Sequence, residues 1–230
     1  MKFYSFLIIA LLSTNSLWAQ VDSTKIKMIK YTPEYKFKDG LYLQFEDFKN
    51  NSPVDKNKII APDLDRKDYN FVANVVESKK IKIYDPLGIE VEIKTKNLWG
   101  FCSNGNIYIN INDDFNRLPY IGSLSHLVAD KLVYNQNYNT PYGNNYYNSY
   151  NPYNPYGNPN AATVEMRQYI LDMEKGTITD YTLENVEISL MKDPVLYDEF
   201  MDLSRKKKKQ KMFFYMRKFN ERNPLILPAN

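Results

Sequence analysis

Asn104-Gly105 stands between Leu98-Trp99-Gly100-Phe101-Cys102 and Ile107-Tyr108-Ile109-Asn110-Ile111. Few dipeptides take the positive φ angles of a two-residue type I′ turn as readily as Asn-Gly, whose backbone twist matches that of paired strands. The chain is therefore committed here to an antiparallel hairpin. Alternation in its second arm places Ile107, Ile109 and Ile111 toward a core, and Asp113-Asp114 is expected to close the strand.

Weaker signals of the same kind surround this hairpin. Val21 to Lys38 reads as an irregular leader or an edge strand, followed by a turn at Asp39-Gly40. Leu41-Tyr42-Leu43 suggests a short strand and Phe45 to Asn50 a helical turn, ended by Ser52-Pro53. Phe71 to Val76 is rich in β-formers and is expected as a strand. Ile81 and Ile83 alternate with lysines, and Ile89, Val91 and Ile93 alternate with Glu90 and Glu92. With Asp85-Pro86-Leu87-Gly88 as the turn, these runs predict a half-buried antiparallel pair. Tyr120 to Val133 reads as a further strand, bulged near Gly122 and Ser123.

The period changes toward the C-terminus. Val164 to Met173 and Ile178 to Tyr181 fit strands joined at Lys175-Gly176. Leu183, Val186 and Leu190 have helical spacing. Asp193-Pro194 is a helix start, with a capping carboxylate and proline in the first turn. Leu196, Phe200 and Leu203 share one face of that helix. A second helix, or its continuation, runs from Arg205 to about Asn220 with Phe213, Met216 and Phe219. Strands first and helices last predict an α+β domain: an antiparallel sheet of hairpins with two or three C-terminal helices packed on it.

Two segments stand apart from this domain. Residues 1–19 carry Lys2, a short apolar run from Phe6 to Leu12, and Leu17-Trp18-Ala19, the layout of a secretory signal cleaved near Ala19. The run is shorter than the ~20 residues a membrane span requires, so no transmembrane span is expected after cleavage. Residues 134–160 are almost wholly Tyr, Asn, Pro and Gly and hold eight of the chain's 20 tyrosines. With no aliphatic residue to bury, this tract is expected as a disordered loop. It divides a β-rich part, 20–133, from a strand pair with the C-terminal helices, 161–230, in one domain.

Three stretches carry a resemblance. They are Asp39-Gly40-Leu41-Tyr42-Leu43-Gln44-Phe45-Glu46-Asp47-Phe48-Lys49-Asn50-Asn51, Leu98-Trp99-Gly100-Phe101 with Asn104-Gly105 and Tyr108-Ile109, and Arg217-Lys218-Phe219-Asn220-Glu221-Arg222-Asn223-Pro224. Together they resemble a group of exported Bacteroidota-type proteins built on a domain of unknown function. The resemblance implies an exported address, periplasmic or secreted, and a fold. It implies no activity and transfers no catalytic residue.

The sequence is poor in catalytic groups. Cys102 is the single cysteine and His126 the single histidine, so no internal disulfide forms and a zinc site would need mostly carboxylate ligands. Cys102 with His126 is a conceivable nucleophile and base, but no third residue orients them, and a buried thiol with a structural histidine is the plainer reading. Gly122-Ser123-Leu124-Ser125-His126 lacks the closing glycine of a nucleophile elbow. Asp63, Asp65 and Asp68 lack the glycine and the terminal glutamate of a calcium loop, and read as a solvated turn. Glu46-Asp47 and Asp113-Asp114 are neighbours in sequence, whereas glycoside hydrolysis holds two carboxyls apart across a cleft. No catalytic residue, metal site or cofactor is assigned.

Surface features say more. Losing Lys2 with the signal leaves 29 bases against 27 acids, a net +2, so any electrostatic attraction must come from local clustering. One cluster exists: Arg205, Lys206, Lys207, Lys208, Lys209 and Lys211. On a helix these charges would surround the axis. Export disfavours nucleic acid as a target and leaves an envelope protein, lipopolysaccharide or an anionic lipid surface. The plainer reading is a solvated helix. Tyr150, Tyr153 and Tyr156 in the tyrosine tract are the other candidate contacts. The leading expectation is a non-enzymatic exported envelope protein that binds another macromolecule. An exported hydrolase with an unidentified active site and a purely structural domain are the alternatives.

Overall fold

The computed structural model describes residues 27–134 and 162–229. The signal segment 1–19 and the candidate contacts Tyr150, Tyr153 and Tyr156 lie outside the described residues, as does all but the first residue of the tyrosine tract. The fold is α+β, and every strand pairing is antiparallel.

The Asn-Gly hairpin anchors the first sheet. Asn104 and Gly105 take φ of 54° and 74°, so β6 (Gly100–Ser103) folds directly onto β7 (Asn106–Ile111). A second turn of this kind follows. Asn112 and Asp113 also have positive φ, and Asp114 opens β8 (Asp114–Arg117) instead of closing β7. Asparagine and aspartate are the non-glycine residues best suited to that backbone. β2 (Gly40–Tyr42) completes the order β2-β6-β7-β8.

This sheet is buried on both faces, as alternation dictates. Tyr42, Cys102, Ile107, Ile109 and Ile111 enter one core, while Leu41 and Phe101 enter another. The second core lies under α2 (Phe71–Glu77) and a small sheet of β3 (Ile59–Ile60), β4 (Lys80–Tyr84) and β5 (Glu90–Lys94). α2 corrects the strand expected at Phe71 to Val76. Phe71, Val72, Val75 and Val76 are the buried positions, a helical face and not an alternating one. Asp68 favours the helix locally by accepting from the Asn70 N–H at 2.8 Å. Burial of that face outweighs the weak preference of valine for strands.

The third sheet carries the C-terminal helices. β9 (Leu124–Tyr134) pairs along its length with β10 (Ala162–Asp172), and β11 (Thr177–Asp180) adds to β10. Tyr134 is opposite Ala162, so the tyrosine tract departs from and returns to adjacent positions. The bulge expected near Gly122 is instead a turn: Tyr120 bridges His126, and the Ser125 hydroxyl donates to the Gly122 carbonyl at 2.9 Å. Leu127, Ala129, Tyr169 and Leu171 face the first sheet. Leu124 and Ile170 face α3 (Leu183–Leu190), α4 (Pro194–Met201) and α5 (Arg205–Arg222). At the two ends of the described residues, β1 (Met28–Lys30) pairs with β12 (Ile226–Pro228), so the expected leader contributes an edge strand. The short α1 (Phe45–Lys49) is capped by Asp47, which accepts from the Gln44 N–H at 2.9 Å.

Candidate functional site

α5 packs on the third sheet by a single stripe. Lys208, Met212, Tyr215, Met216 and Phe219 are its buried residues, spaced i, i+4, i+7, i+8 and i+11. Asn220 fixes the helix to β9: its amide accepts from the Leu124 N–H at 2.8 Å and donates to the Leu124 carbonyl at 2.8 Å. At its C-terminal end Arg222 grips Asp193, with Nε at 2.6 Å and Nη2 at 3.0 Å from the carboxylate oxygens. Asp193 also accepts from the Leu196 N–H at 3.2 Å, capping α4 as expected. The Arg222 guanidinium, aided by that N–H and by Asn223, holds the Asp193 carboxyl down at about 2.

The helix carries nine bases: Arg205, Lys206, Lys207, Lys208, Lys209, Lys211, Arg217, Lys218 and Arg222. Three turn inward to acids of α3 and α4 and their approaches. Lys208 Nζ reaches Glu187 at 3.0 Å, Lys218 Nζ reaches Glu199 at 2.7 Å, and Arg222 meets Asp193. Lys218, with help from the Tyr215 hydroxyl, pulls the Glu199 carboxyl below its ordinary value. The other six are exposed, and none of them has an ion-pair partner among the described residues.

Lys208 departs from the sequence reading. Lys208 does not belong to the solvated run; it is only 8 % exposed and sits 5.7 Å above the Phe200 ring, with its ammonium also beside Met201 Sδ. Its spacing of four from Met212 was the available signal, because it puts Lys208 in the apolar register. The charges therefore do not surround the axis: an apolar stripe does pass through this turn. Phe213, conversely, is not a core residue. Phe213 is 40 % exposed and Phe214 is 55 % exposed. Phe213 rests its edge on Tyr120 and His126, while Phe214 lies under the Lys211 ammonium at 5.9 Å.

The outer face of α5 thus reads Lys206, Gln210, Phe213 and Arg217 along one row, with Lys207, Lys211 and Phe214 along the next. Glu221 is the one acid on the helix; the neighbouring α4 exposes Asp198 and Glu199, and Asp202 at its C-cap is exposed too. The N-terminal turn is electrostatically unfavourable. It contains four consecutive cations, no acid, and no side-chain cap from Ser204. The helix dipole leaves its positive end there, so each cation costs about 0.3–1 kcal/mol at an exposed site.

The remaining candidates are held in structural roles. Cys102 is fully buried against Asp39 and the Phe37 carbonyl, and burial, followed by the nearby Asp39 charge, pushes its thiol well above the ordinary range. His126 faces the opposite side of β9 from the core that holds Cys102, against Tyr181 and Phe213, with Gln168 Oε1 at 3.0 Å. Ser125 is buried and spends its hydroxyl on the Gly122 turn. Asp65 and Asp68 accept from the N–H groups of Lys67 and Asn70 in their own loop. Among the described residues no cluster of three His, Cys, Asp or Glu side chains is placed to hold a metal. An open cleft of about 700 Å³ beside Lys49, Glu174 and Lys192 has its charges spent: Lys192 bonds both Asp172 and Glu174. Among the described residues no helix is long and apolar enough to cross a membrane.

Comparison of the chain with protein-family models, with curated proteins and with solved structures finds no match to any of them.

Proposed function

We propose that the protein is a non-enzymatic binding protein of the cell envelope, exported by its N-terminal segment, that docks on an acidic macromolecule through the outer face of α5. One observation carries the reading. Of nine bases on this helix, three are matched to acids of α3, α4 and their approaches, and six are left outward without counter-charge among the described residues. A helix selected for stability alone places acids, not four cations, in its first turn. The resemblance to exported Bacteroidota-type proteins and the layout of residues 1–19 support the address.

The contact is tested with chain lacking residues 1–19 on immobilised polyglutamate. Replacing Lys206, Lys207, Lys209 and Lys211 by Glu abolishes retention. Replacing Lys58, Lys94, Lys96 and Lys175, exposed lysines elsewhere, by Glu gives the same net charge and leaves most of it. Equal losses in the two variants reject a localised contact. The address is tested by N-terminal sequencing of native material, where a start at Met1 in a soluble cell extract rejects export.

A further inference from the structure

Charge alone does not explain Phe213 and Phe214. An acidic protein partner is matched by lysines, yet here two large rings stand in the centre of the cationic face at 40 % and 55 % exposure. Each ring is bracketed by cations one turn away: Phe213 by Lys209 and Arg217, Phe214 by Lys211, Arg217 and Lys218. Long basic side chains reach sideways to a polar interface while rings beside them enter an apolar phase. A helix with aromatic and basic residues on one exposed face, lying flat, matches the boundary between headgroups and acyl chains.

Resting on the α5 contact just described, we infer that the acidic partner is an anionic lipid bilayer: phosphate headgroups meet Lys206, Lys207, Lys209, Lys211 and Arg217, and Phe214, with the exposed part of Phe213, inserts between them. The occupant is assigned by complementarity of both charge and polarity. Phosphates satisfy cations that no acid of the described chain reaches, and the acyl boundary takes rings that the fold leaves in water. At 18 residues, α5 is roughly 27 Å long and lays its whole outer face along the surface.

The test uses the chain from residue 20 and two kinds of vesicle, phosphatidylcholine alone and phosphatidylcholine mixed with phosphatidylglycerol. Sedimentation is expected with the mixed vesicles and not with the neutral ones. Each of Lys206 and Lys207 changed to Gln weakens binding about fivefold. Phe214→Ser weakens it about tenfold or more, from the loss of a buried aromatic side chain. Phe214 has the more exposed ring, so its replacement leaves the fold intact, which circular dichroism confirms. Phe214→Trp shifts its fluorescence to the blue on the mixed vesicles and is quenched by lipids brominated on the acyl chain. Retention on polyglutamate without sedimentation on mixed vesicles overturns the lipid assignment, makes an acidic protein the partner, and leaves the α5 contact standing. Sedimentation with no blue shift and no effect of Phe214→Ser overturns the insertion. Failure on both polyglutamate and vesicles overturns the lipid assignment and the α5 contact together.

Discussion

Lys206 and Lys208 lie two residues apart in one basic run, and the structure requires their removal to have opposite effects on stability. Lys208 has 10 % of its side chain exposed and Glu187 has 25 %, with 3.0 Å between the charges. Breaking a fully buried pair costs about 3–5 kcal/mol because the surviving charge stays unpaired. Glu187 keeps a quarter of its surface in water and rehydrates in part, so the electrostatic share falls to about 1–2 kcal/mol. The lysine stem adds to this. It packs beside Phe200 and Met201, and losing three methylenes at about 0.8 kcal/mol each adds about 2 kcal/mol. Lys208→Ala should therefore destabilise by about 3–4 kcal/mol, or about 6–16 °C in Tm for a domain of this size. Lys208→Met keeps the stem and should lose about 1–2 kcal/mol. Lys206→Ala removes a cation from the positive end of α5 and should gain about 0.3–1 kcal/mol. Urea unfolding followed by circular dichroism measures all three. If Lys208→Ala and Lys206→Ala fall within about 0.5 kcal/mol of each other, the division of the run into a buried anchor and a solvated face is wrong.

Other consequences are equally direct. The Asp193 carboxyl is lowered from its ordinary 3.8 to about 2, so its contribution is complete above the unfolded value and disappears as pH falls through about 2. Asp193→Asn should be less stable than the parent at neutral pH, and the gap in Tm should close between pH 4 and pH 2; a gap of constant size contradicts the Arg222 pairing. Gly40 has φ of 145°, and a Cβ there would sit against the Val54 carbonyl oxygen. Gly40→Ala should cost about 3 kcal/mol or more by denaturant unfolding, and wild-type stability would refute that backbone. Cys102 should stay unmodified by a thiol-specific maleimide until the protein unfolds, because the thiol is buried and held protonated; rapid labelling of native protein contradicts its placement.

Local chemistry dominated wherever the chain read correctly. Asn104-Gly105, the Asp193-Pro194 helix start and the alternation of Ile107, Ile109 and Ile111 involve residues a few positions apart, and their reasons lie in backbone sterics and side-chain period. Phe71 to Val76 reads as a strand but is a helix because short apolar runs satisfy strand and helix patterns alike, and only the face offered by β6 and the small sheet decides between them. The basic run was visible as charge, and the spacing of Lys208 from Met212 was a signal of its inward place, but the acid it meets, Glu187, was not legible.

The sequence by itself determined the antiparallel hairpins, the group of helices toward the C-terminus, and the presence of one concentrated positive segment. Turn dihedrals, period and charge are properties of neighbouring residues and need no partner to be expressed. The tertiary structure alone decided which acids the bases of α5 meet and which bases are left without one. Glu187, Glu199 and Asp193 stand 21, 19 and 29 residues from Lys208, Lys218 and Arg222, separations that no local pattern links, and only packing of α3 and α4 against the same sheet brings them within reach. That packing also ran out of surface before it reached Phe213 and Phe214, and so set two aromatic rings among unpaired cations.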